Sequence, residues 1–593
     1  MSRKTVKTKM MTLKGIPVSP GIAIGKAHIF DEEKYIIPKY KIELESIQKE
    51  ITKFNQALQK TKNELKKIQK VFTDKIKNEK LDFFKMHLLI LDDPYLKDSV
   101  LIEIAENNKN AEWALYDVMS KHINSLSNIE DEYLSERVAD LYDLAKRIMK
   151  NLLKKRENRL SDIEGKAIII AKNLAPSDTV DMEKSKIIGF ATDFGGRTSH
   201  TAIVSRALEI PAVIGLEDVS SKVHEGDNII VDGSNGIVII NPEEGTLKEY
   251  QTAYNIFQKY SEELKKIKSL DSITLDKKRI KLAGNIEIRE EIESVINHGG
   301  QGIGLFRTEF LYLNRTTLPT EKELFAIFKE AAEKTKPNAV IYRTLDIGGD
   351  KFGEAFKITD EMNPFLGYRA IRFCLENPEI FNTQLSAIIK AAYYGNGAIM
   401  IPMISSVDEI IKVKEMIGKL EETLTKNNEK FTKDIKIGAM IEIPSAAITI
   451  DIISKEVDFI SIGTNDLVQY TLAVDRNNSK ISHLYEPFHP AVLRLIKTIT
   501  DSAHKNNIPV HVCGELAAEA MATILFVGMD IDELSMSAIA IPEIKKLIRS
   551  IRYKDAKILV NKVLKLNNAI EIKNEIRKFI SKNTPEFLYK DTV

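Results

Sequence analysis

The sequence has few cysteines, no long apolar run and almost no net charge, and each absence excludes a class of protein. Two cysteines, Cys374 and Cys513, in 593 residues are too few for a disulfide framework, so we expect a reducing, cytoplasmic setting. No run of about 18 apolar residues is present, so we expect no membrane insertion. The basic, polar start lacks the apolar stretch of a secretory signal. The formal net charge is +1, which gives no reason to expect a nucleic-acid partner.

The chain is too long for one hydrophobic core, and its amino-terminal half changes pattern several times. Leu13 to Phe30 is strand-like, and residues 228–240 predict a hairpin with turn residues between β-branched runs. Because the first segment cannot bury a core alone, we expect residues 11–32 and 155–245 to form one β/α domain. Residues 1–10 are expected to be a disordered extension.

A helical pattern interrupts this domain. Residues 33–154 carry apolar side chains at helical spacing with few glycines or prolines, which predicts an inserted helical bundle. Its first helix shows a heptad-like apolar stripe with one polar gap at Thr61. The members of that stripe are Leu44, Ile47, Ile51, Phe54, Leu58, Leu65 and Ile68. After the domain, residues 246–271 predict a charged linker helix.

The carboxy-terminal half, residues 272–593, alternates short apolar strands with helical stretches, which predicts a (β/α)₈ TIM barrel. The fold class is therefore multidomain α/β, with a carboxy-terminal barrel after the interrupted β/α domain. Many of the strands end in polar or reactive residues, which a barrel would gather at one mouth. The eight predicted strands are Lys281–Asn285, Gly302–Phe306, Ala339–Arg343, Ala398–Ile401, Gly438–Ile443, Phe459–Ile462, Pro509–Cys513 and Glu533–Met536.

The segment GGRTSHTAIVSR, residues 195–206, is the first candidate for chemistry. Two glycines permit close approach of the backbone, and Thr198 and Ser199 are suitable helix caps. His200 would lie in the first helical turn, where free N–H groups and the helix dipole favour a phosphate. A neutral imidazole with a pKa near ~6.5 is a competent nucleophile. A lone histidine would more often simply cap the helix, but the surrounding residues favour a phosphohistidine.

Arginines at strand ends form the second candidate. Arg307 and Arg343 each end a predicted strand, and Arg476 follows another. Guanidinium groups bind carboxylate and phosphate through paired hydrogen bonds, as a small, highly charged substrate would require. The alternative is ordinary surface salt bridges. Additional positive charge is expected from Arg369, Arg372 and Lys351.

Two carboxylates and a cysteine complete the candidate chemistry. Glu442 and Asp466 follow strands in IEIPSA and SIGTNDL, and such a pair with phosphate oxygens and water suits Mg²⁺. Helix capping is the alternative. Cys513 ends a strand in HVCGELA and would act as a general acid at the mouth, although a core cysteine is the commoner case. His511 is assigned a supporting place.

The sequence closely resembles the phosphoenolpyruvate–protein phosphotransferases, the enzyme I family of the bacterial sugar phosphotransferase system. The resemblance extends from about residue 11 nearly to the end, and GGRTSHTAIVSR resembles the family's phosphohistidine segment. The barrel half and the amino-terminal half contribute further family-like segments. These are GIGLFRTEFLY, YRTLDIGGDK, NPFLGYRAIR, IEIPSA, SIGTNDLVQYTLAVDRNN, HVCGELA, KGIPVSPGIAIGKA and DEYLSERVADLYDL.

The resemblance implies a reaction in which phosphoenolpyruvate phosphorylates His200 and pyruvate is released. The phosphoryl group then passes to the phosphocarrier protein HPr, which would dock on residues 33–154. The barrel would form a homodimer. Because His200 must meet phosphoenolpyruvate and the carrier in turn, we expect a hinge motion with Lys248–Leu270 as its lever. Substrate-binding residues would be Arg307, Arg343, Asn465 and Arg476, with Glu442 and Asp466 as Mg²⁺ ligands and Cys513 as proton donor.

Two residues depart from the family pattern, and two rival functions remain. Glu287 stands where glycine is common, and Tyr368 where tryptophan is common. A pyruvate,phosphate dikinase or phosphoenolpyruvate synthase would resemble this chain in its phosphohistidine domain and barrel. Such enzymes carry a large nucleotide-binding domain that this sequence does not show, and their histidine usually follows cysteine rather than Ser199. A non-enzymatic regulator would be expected to have lost at least one candidate catalytic residue.

Overall fold

The structure, a computed structural model, divides into two compact units, residues 1–260 and 261–593. The residues whose structure is described include most of both units. They are 10–30, 37–75, 90–91, 94–127, 132–153, 163, 165–174, 186–195, 205, 210–289, 291–312, 317–348, 363–476, 478, 480–584 and 587. His200, Lys351 and the expected extension up to residue 9 lie outside these residues.

The first unit contains an eight-stranded sheet with the order β1-β8-β7-β3-β4-β5-β6-β2. The predicted hairpin is confirmed, because β7 and β8 pair antiparallel. The amino-terminal strands return to this sheet as expected, since β3 pairs with both β4 and β7. The strands are β1 Met11–Lys14, β2 Ile16–Ser19, β3 Ile22–Phe30, β4 Ala167–Ala171, β5 Ile187–Thr192, β6 Ala212–Ile214, β7 Asn228–Asp232 and β8 Ile237–Ile240.

Helices inserted after β3 pack around a core of their own. The predicted stripe on the first helix is confirmed at Phe54 and Leu65, which are buried. It does not extend to Leu44, which is exposed and precedes the helix. Thr61, the polar gap, is buried and accepts a 2.9 Å hydrogen bond from Asn151 Nδ2. The helices of this unit are α1 Ile47–Lys75, α2 Pro94–Ala105, α3 Ala111–Ser127, α4 Glu132–Leu153 and α5 Val219–Lys222. A further helix, α6 Glu244–Ile267, contains the boundary between the two units.

The second unit is built on a closed barrel of eight parallel strands, as the sequence predicts. Apolar residues such as Leu305, Met400 and Met440 pack together in one cluster with Cys513, and a larger apolar cluster includes residues of both strands and helices. The strands are β9 Lys281–Ile286, β10 Ile303–Arg307, β11 Ala339–Arg343, β12 Asn396–Ile401, β13 Lys436–Ile441, β14 Phe459–Ile462, β15 Val510–Val512 and β16 Glu533–Met536.

The helices of this unit lie mainly between successive strands, as in other (β/α)₈ barrels. Local sequence fixes where several of them begin. Thr320 and Glu323 form a reciprocal capping box at the start of α8, and Ser406 and Glu409 do the same for α11. The helices are α7 Glu291–Asn297, α8 Glu321–Thr335, α9 Ile371–Glu376, α10 Pro378–Ala392, α11 Val407–Lys426, α12 Pro444–Ile448, α13 Ile450–Ile453, α14 Thr464–Leu472, α15 Pro490–Lys505, α16 Ala520–Gly528, α17 Ile541–Ser550, α18 Tyr553–Val563 and α19 Ala569–Asn583. In the described part of the chain, no helix has the length and apolar character needed to span a membrane.

Candidate active site

The carboxyl ends of the barrel strands supply the candidate residues. Arg307 and Arg343 are the last residues of β10 and β11, and Glu442 and Cys513 directly follow β13 and β15. Asn465 and Asp466 lie in the first turn of α14, immediately after β14. Because parallel strands end at the same side of a barrel, these positions converge on one mouth.

Arg343 is held between two buried carboxylates. Its Nε and Nη2 donate to Glu309 Oε1 at 3.1 and 2.8 Å, and its Nη1 lies 3.2 Å from Asp346 Oδ2. Burial alone would lower the pKa of Arg343, but the charges of Glu309 and Asp346 outweigh it and raise that pKa. The guanidinium is therefore a fixed positive charge in the wall of the mouth.

Arg369 extends this network toward the candidate metal ligands. Its Nη2 donates to Asp346 Oδ1 at 2.9 Å and lies 3.6 Å from Asp466 Oδ2. Its Nη1 donates to the hydroxyl of Tyr470 at 3.3 Å. The expectation that Arg369 adds positive charge here thus agrees with the geometry. Arg372 is directed elsewhere, because its Nη1 donates to the carbonyl oxygens of Leu366 and Gly367.

Glu442 is buried close to two other carboxylates. Its Oε1 accepts a 2.7 Å hydrogen bond from the N–H of Met403, and Gly463 makes room for it, since an added Cβ would meet Oε2 at 2.4 Å. Burial, followed by the charges of Asp466 and Asp346, raises the pKa of Glu442 well above its usual range. A buried carboxylate in such surroundings needs a nearby cation to stay charged.

The donor set fits a divalent cation of the magnesium type. Glu442 and Asp466 provide carboxylate oxygens, which Mg²⁺ prefers, and Mg²⁺ commonly takes its other ligands from substrate phosphate and water. Among the described residues, no group of three or more His, Cys, Asp or Glu side chains forms a metal site by itself. A divalent cation held by Glu442 and Asp466 would therefore need further ligands from substrate or water.

Cys513 is buried and protonated. Its thiol accepts a 3.2 Å hydrogen bond from the Ser461 hydroxyl and faces the carbonyl oxygen of Ile462 at 3.7 Å. Burial raises the pKa of Cys513 to about 11, although the hydrogen bond from Ser461 opposes the shift. The thiol consequently keeps its proton at neutral pH, as a proton donor must. His511 lies two residues earlier and has different neighbours from Cys513. Its ring stacks on Phe459, and its Nδ1 lies 3.8 Å from Glu533 Oε1.

The other two candidate arginines, Arg307 and Arg476, are more exposed than Arg343, and so are their carboxylate partners. Arg307 Nη1 donates to Glu287 Oε1 at 2.7 Å, with about a third of each side chain exposed. Arg476 Nη1 lies 3.9 Å from Glu515 Oε1, the same oxygen to which Asn465 Nδ2 donates at 2.9 Å. Glu515 is four-fifths exposed.

The candidate residues thus fall into two sets that differ in burial. We call the buried set the inner network; it comprises Glu309, Arg343, Asp346, Arg369, Glu442 and Asp466. We call the exposed set the outer pairs; it comprises Glu287, Arg307, Asn465, Arg476 and Glu515. The two sets act on common groups: Arg343 and Arg307 both influence the pKa of Cys513, and Asp466 and Arg476 both influence that of Tyr485.

Sequence reasoning missed the carboxylates that hold the arginines. Glu309, Asp346 and Glu515 each lie two or three residues after the end of an observed strand, but the sequence pattern did not single them out as partners of the arginines. Tyr470 lies a full turn into α14 and contacts Arg369. A rule that included the residues between each strand and the next long helix would have selected the three carboxylates but not Tyr470, which is the seventh residue of α14.

Comparison with known proteins identifies the family. The model of the PEP-utilising enzyme PEP-binding domain matches residues 261–553, which contain the barrel. The amino-terminal model of the same enzymes matches residues 14–137, and their mobile-domain model matches residues 163–236. A phosphoenolpyruvate-protein phosphotransferase of Haemophilus influenzae is 42% identical over 96% of this chain and 100% of its own length. Those of Bacillus subtilis and Mycoplasma capricolum are each 41% identical, over 95% and 96% of this chain and 98% and 99% of their own lengths.

The chain belongs to the phosphoenolpyruvate-protein phosphotransferase family. The expected resemblance is therefore confirmed, and the protein is an enzyme that uses phosphoenolpyruvate. Because the PEP-binding model covers the barrel, the mouth described above lies in the part of the family that binds phosphoenolpyruvate. The near-complete coverage of phosphotransferase relatives favours this family over the dikinase and synthase alternatives.

Proposed function

We propose that the chain transfers the phosphoryl group of phosphoenolpyruvate to its own His200 and then to a histidine of the phosphocarrier protein HPr. Pyruvate is the second product, and the reaction is the first step of sugar uptake by the phosphotransferase system. The mouth of the barrel carries this proposal, because it combines four arginines, two candidate metal ligands and a protonated thiol. A dikinase would require a nucleotide site, for which neither the family matches nor the described residues offer support.

The residues of the mouth have distinct roles in this proposal. Arg307 and Arg476, with Asn465, hold the phosphate of the substrate, and Arg343 stabilises the negative charge that spreads during transfer. Glu442 and Asp466 would hold Mg²⁺, which would supply positive charge against the negative charge of the substrate. The imidazole of His200 attacks phosphorus in line with the departing enolate oxygen. Cys513 donates its proton to the enolate carbon, and pyruvate forms.

The thiol suits this last step for an electrostatic reason. Its pKa of about 11 keeps the proton in place until a strongly basic carbon is generated beside it. The charges of Arg343 and Arg307 act in the opposite sense and favour the thiolate that remains after transfer. The group is thus protonated before the reaction and stabilised after it.

Transfer onward to HPr requires the imidazole of His200 to meet phosphoenolpyruvate first and HPr afterwards. We assign the docking of HPr to residues 33–154, the hinge to residues 248–270 and homodimerisation to the barrel. The expected setting of the enzyme is the cytoplasm.

The experiment that tests the proposal follows the phosphoryl group. Incubation with ³²P-labelled phosphoenolpyruvate and Mg²⁺ should give an acid-labile phosphate on His200, located by mass spectrometry. His200→Ala should abolish labelling while phosphoenolpyruvate still binds. His224→Ala is the control in the same unit, since His224 is largely exposed beside Asp227, and should label normally. Phosphate on another residue, or normal labelling of His200→Ala, would refute the proposal.

A further inference from the structure

Glu287 and Arg307 are placed side by side by the barrel itself. Strands β9 and β10 are parallel neighbours in which Ile286 lies opposite Phe306. Glu287 is the residue after Ile286, and Arg307 is the residue after Phe306. The two side chains therefore emerge together at the mouth, and Nη1 of Arg307 donates to Oε1 of Glu287 at 2.7 Å.

The backbone of Glu287 is anchored from the next helix. Its N–H donates to Glu291 Oε2 at 2.7 Å, and the N–H of Ile288 lies 3.4 Å from the same oxygen. Glu291 is the first residue of α7. The loop is thus tied to the start of the helix, and the carboxylate of Glu287 stays within reach of Arg307.

This pair differs from the inner network in how easily it can separate. The carboxylates of Glu309 and Asp346 are 8% and 6% exposed, so releasing Arg343 would strand a buried charge. Glu287 is 38% exposed and Arg307 34% exposed. Water can solvate each group when they part, and exposed ion pairs contribute little to stability. The Arg307–Glu287 pair is therefore exchangeable.

We propose that Glu287 is an intramolecular competitor for the anionic group that Arg307 binds, and that it weakens the affinity of this enzyme for phosphoenolpyruvate. This inference rests on the proposed function and deepens it. An incoming phosphate reaches Arg307 only by displacing the Glu287 carboxylate, and the displaced carboxylate then repels the bound anion. Re-formation of the ion pair favours release of the anion. Glu287 is thus a residue that sets affinity through Arg307.

The first test is the conservative variant Glu287→Gln, which keeps the shape and removes the charge. The dissociation constant for phosphoenolpyruvate, measured by titration calorimetry with Mg²⁺ in a His200→Ala background, should fall by about threefold to tenfold, and tenfold corresponds to about 1.4 kcal/mol. With His200 present, KM should fall while kcat changes little. Glu293→Gln is the matched control, because Glu293 lies on α7 and its Oε1 is 3.7 Å from Lys334 Nζ. The dissociation constant of this variant for phosphoenolpyruvate should stay unchanged.

The second test removes Arg307. In an Arg307→Met background, Glu287→Gln should tighten binding much less, because only the direct repulsion between Glu287 and the bound anion remains. Persistence of the full effect there would overturn the inference, as would weaker binding by Glu287→Gln, which would mean that Glu287 orients Arg307 for the substrate. An unchanged dissociation constant would overturn it too. Failure of the proposed function is separately visible, because wild-type His200 would then not be labelled.

Discussion

The inner network and the outer pairs both combine arginines with carboxylates at the same mouth, but they differ in how deeply these ion pairs are buried. Arg343 and Arg369 lie among buried carboxylates that fix their positions. Arg307 faces Glu287, which is partly exposed. Arg476 lies 3.9 Å from Glu515, which is largely exposed. A buried ion pair is costly to break, whereas an exposed one exchanges readily. In the proposed function, the inner network is the rigid framework of the mouth, and the outer pairs exchange their carboxylates for substrate.

The largest expected effect comes from breaking the inner network at Arg343. Arg343→Met leaves Glu309 buried without its main cation and leaves Asp346 paired with Arg369 alone. Loss of one partner of a buried pair costs about 3–5 kcal/mol. Urea unfolding of the barrel should be followed by circular dichroism, because Trp113, the single tryptophan, lies in α3 of the other unit. Hydrogen exchange should rise in β11. If Arg343→Met unfolds at the same urea concentration as Arg476→Met, the distinction between the two sets is wrong.

The next effect is on chemistry rather than on stability. Cys513→Ala removes the proposed acid and should slow pyruvate formation by about 10²- to 10⁴-fold. Exchange of phosphate between His200 and HPr does not involve the enolate carbon and should persist. The two half-reactions can be measured separately by pyruvate release and by transfer from phosphorylated HPr. An equal loss in both would assign Cys513 a structural role.

A smaller effect is expected when a Cβ is added beside Glu442. Gly463→Ala would place that atom 2.4 Å from Glu442 Oε2, so the carboxylate must move. Displacement of a group that supports a metal site typically costs about 10- to 100-fold in metal affinity or activity, and Mg²⁺ activation curves would measure it. The control is Gly418→Ala in α11, where nothing lies within 4 Å of the added Cβ, and it should activate normally. Unchanged Mg²⁺ activation of Gly463→Ala would argue against Glu442 as a ligand.

Sequence patterns predict the barrel well because each strand is a short, local run of buried residues bounded by polar ones. All eight predicted strands overlap observed ones, and Ala339–Arg343, Phe459–Ile462 and Glu533–Met536 match in full. The candidate residues could be placed at the mouth for the same reason. Their partners could not, because Arg369 meets Asp466 and Arg307 meets Glu287 only when the folded barrel brings together segments that are separate in sequence. The role of Thr61 could not be predicted for the same reason. Its buried hydrogen bond from Asn151 joins two helices that are far apart in sequence.

The most direct measurement of the central claim is phosphoenolpyruvate binding at the outer pairs. Titration calorimetry with Mg²⁺ on His200→Ala protein avoids turnover, and Arg476→Met in that background removes one proposed phosphate contact. Hydrogen bonds to charged groups contribute about 1.5–3 kcal/mol, so binding should weaken by at least about tenfold. Unfolding should be nearly unchanged, because exposed ion pairs contribute about 0–1 kcal/mol. Unaltered affinity, or a loss of stability as large as that of Arg343→Met, would contradict the account.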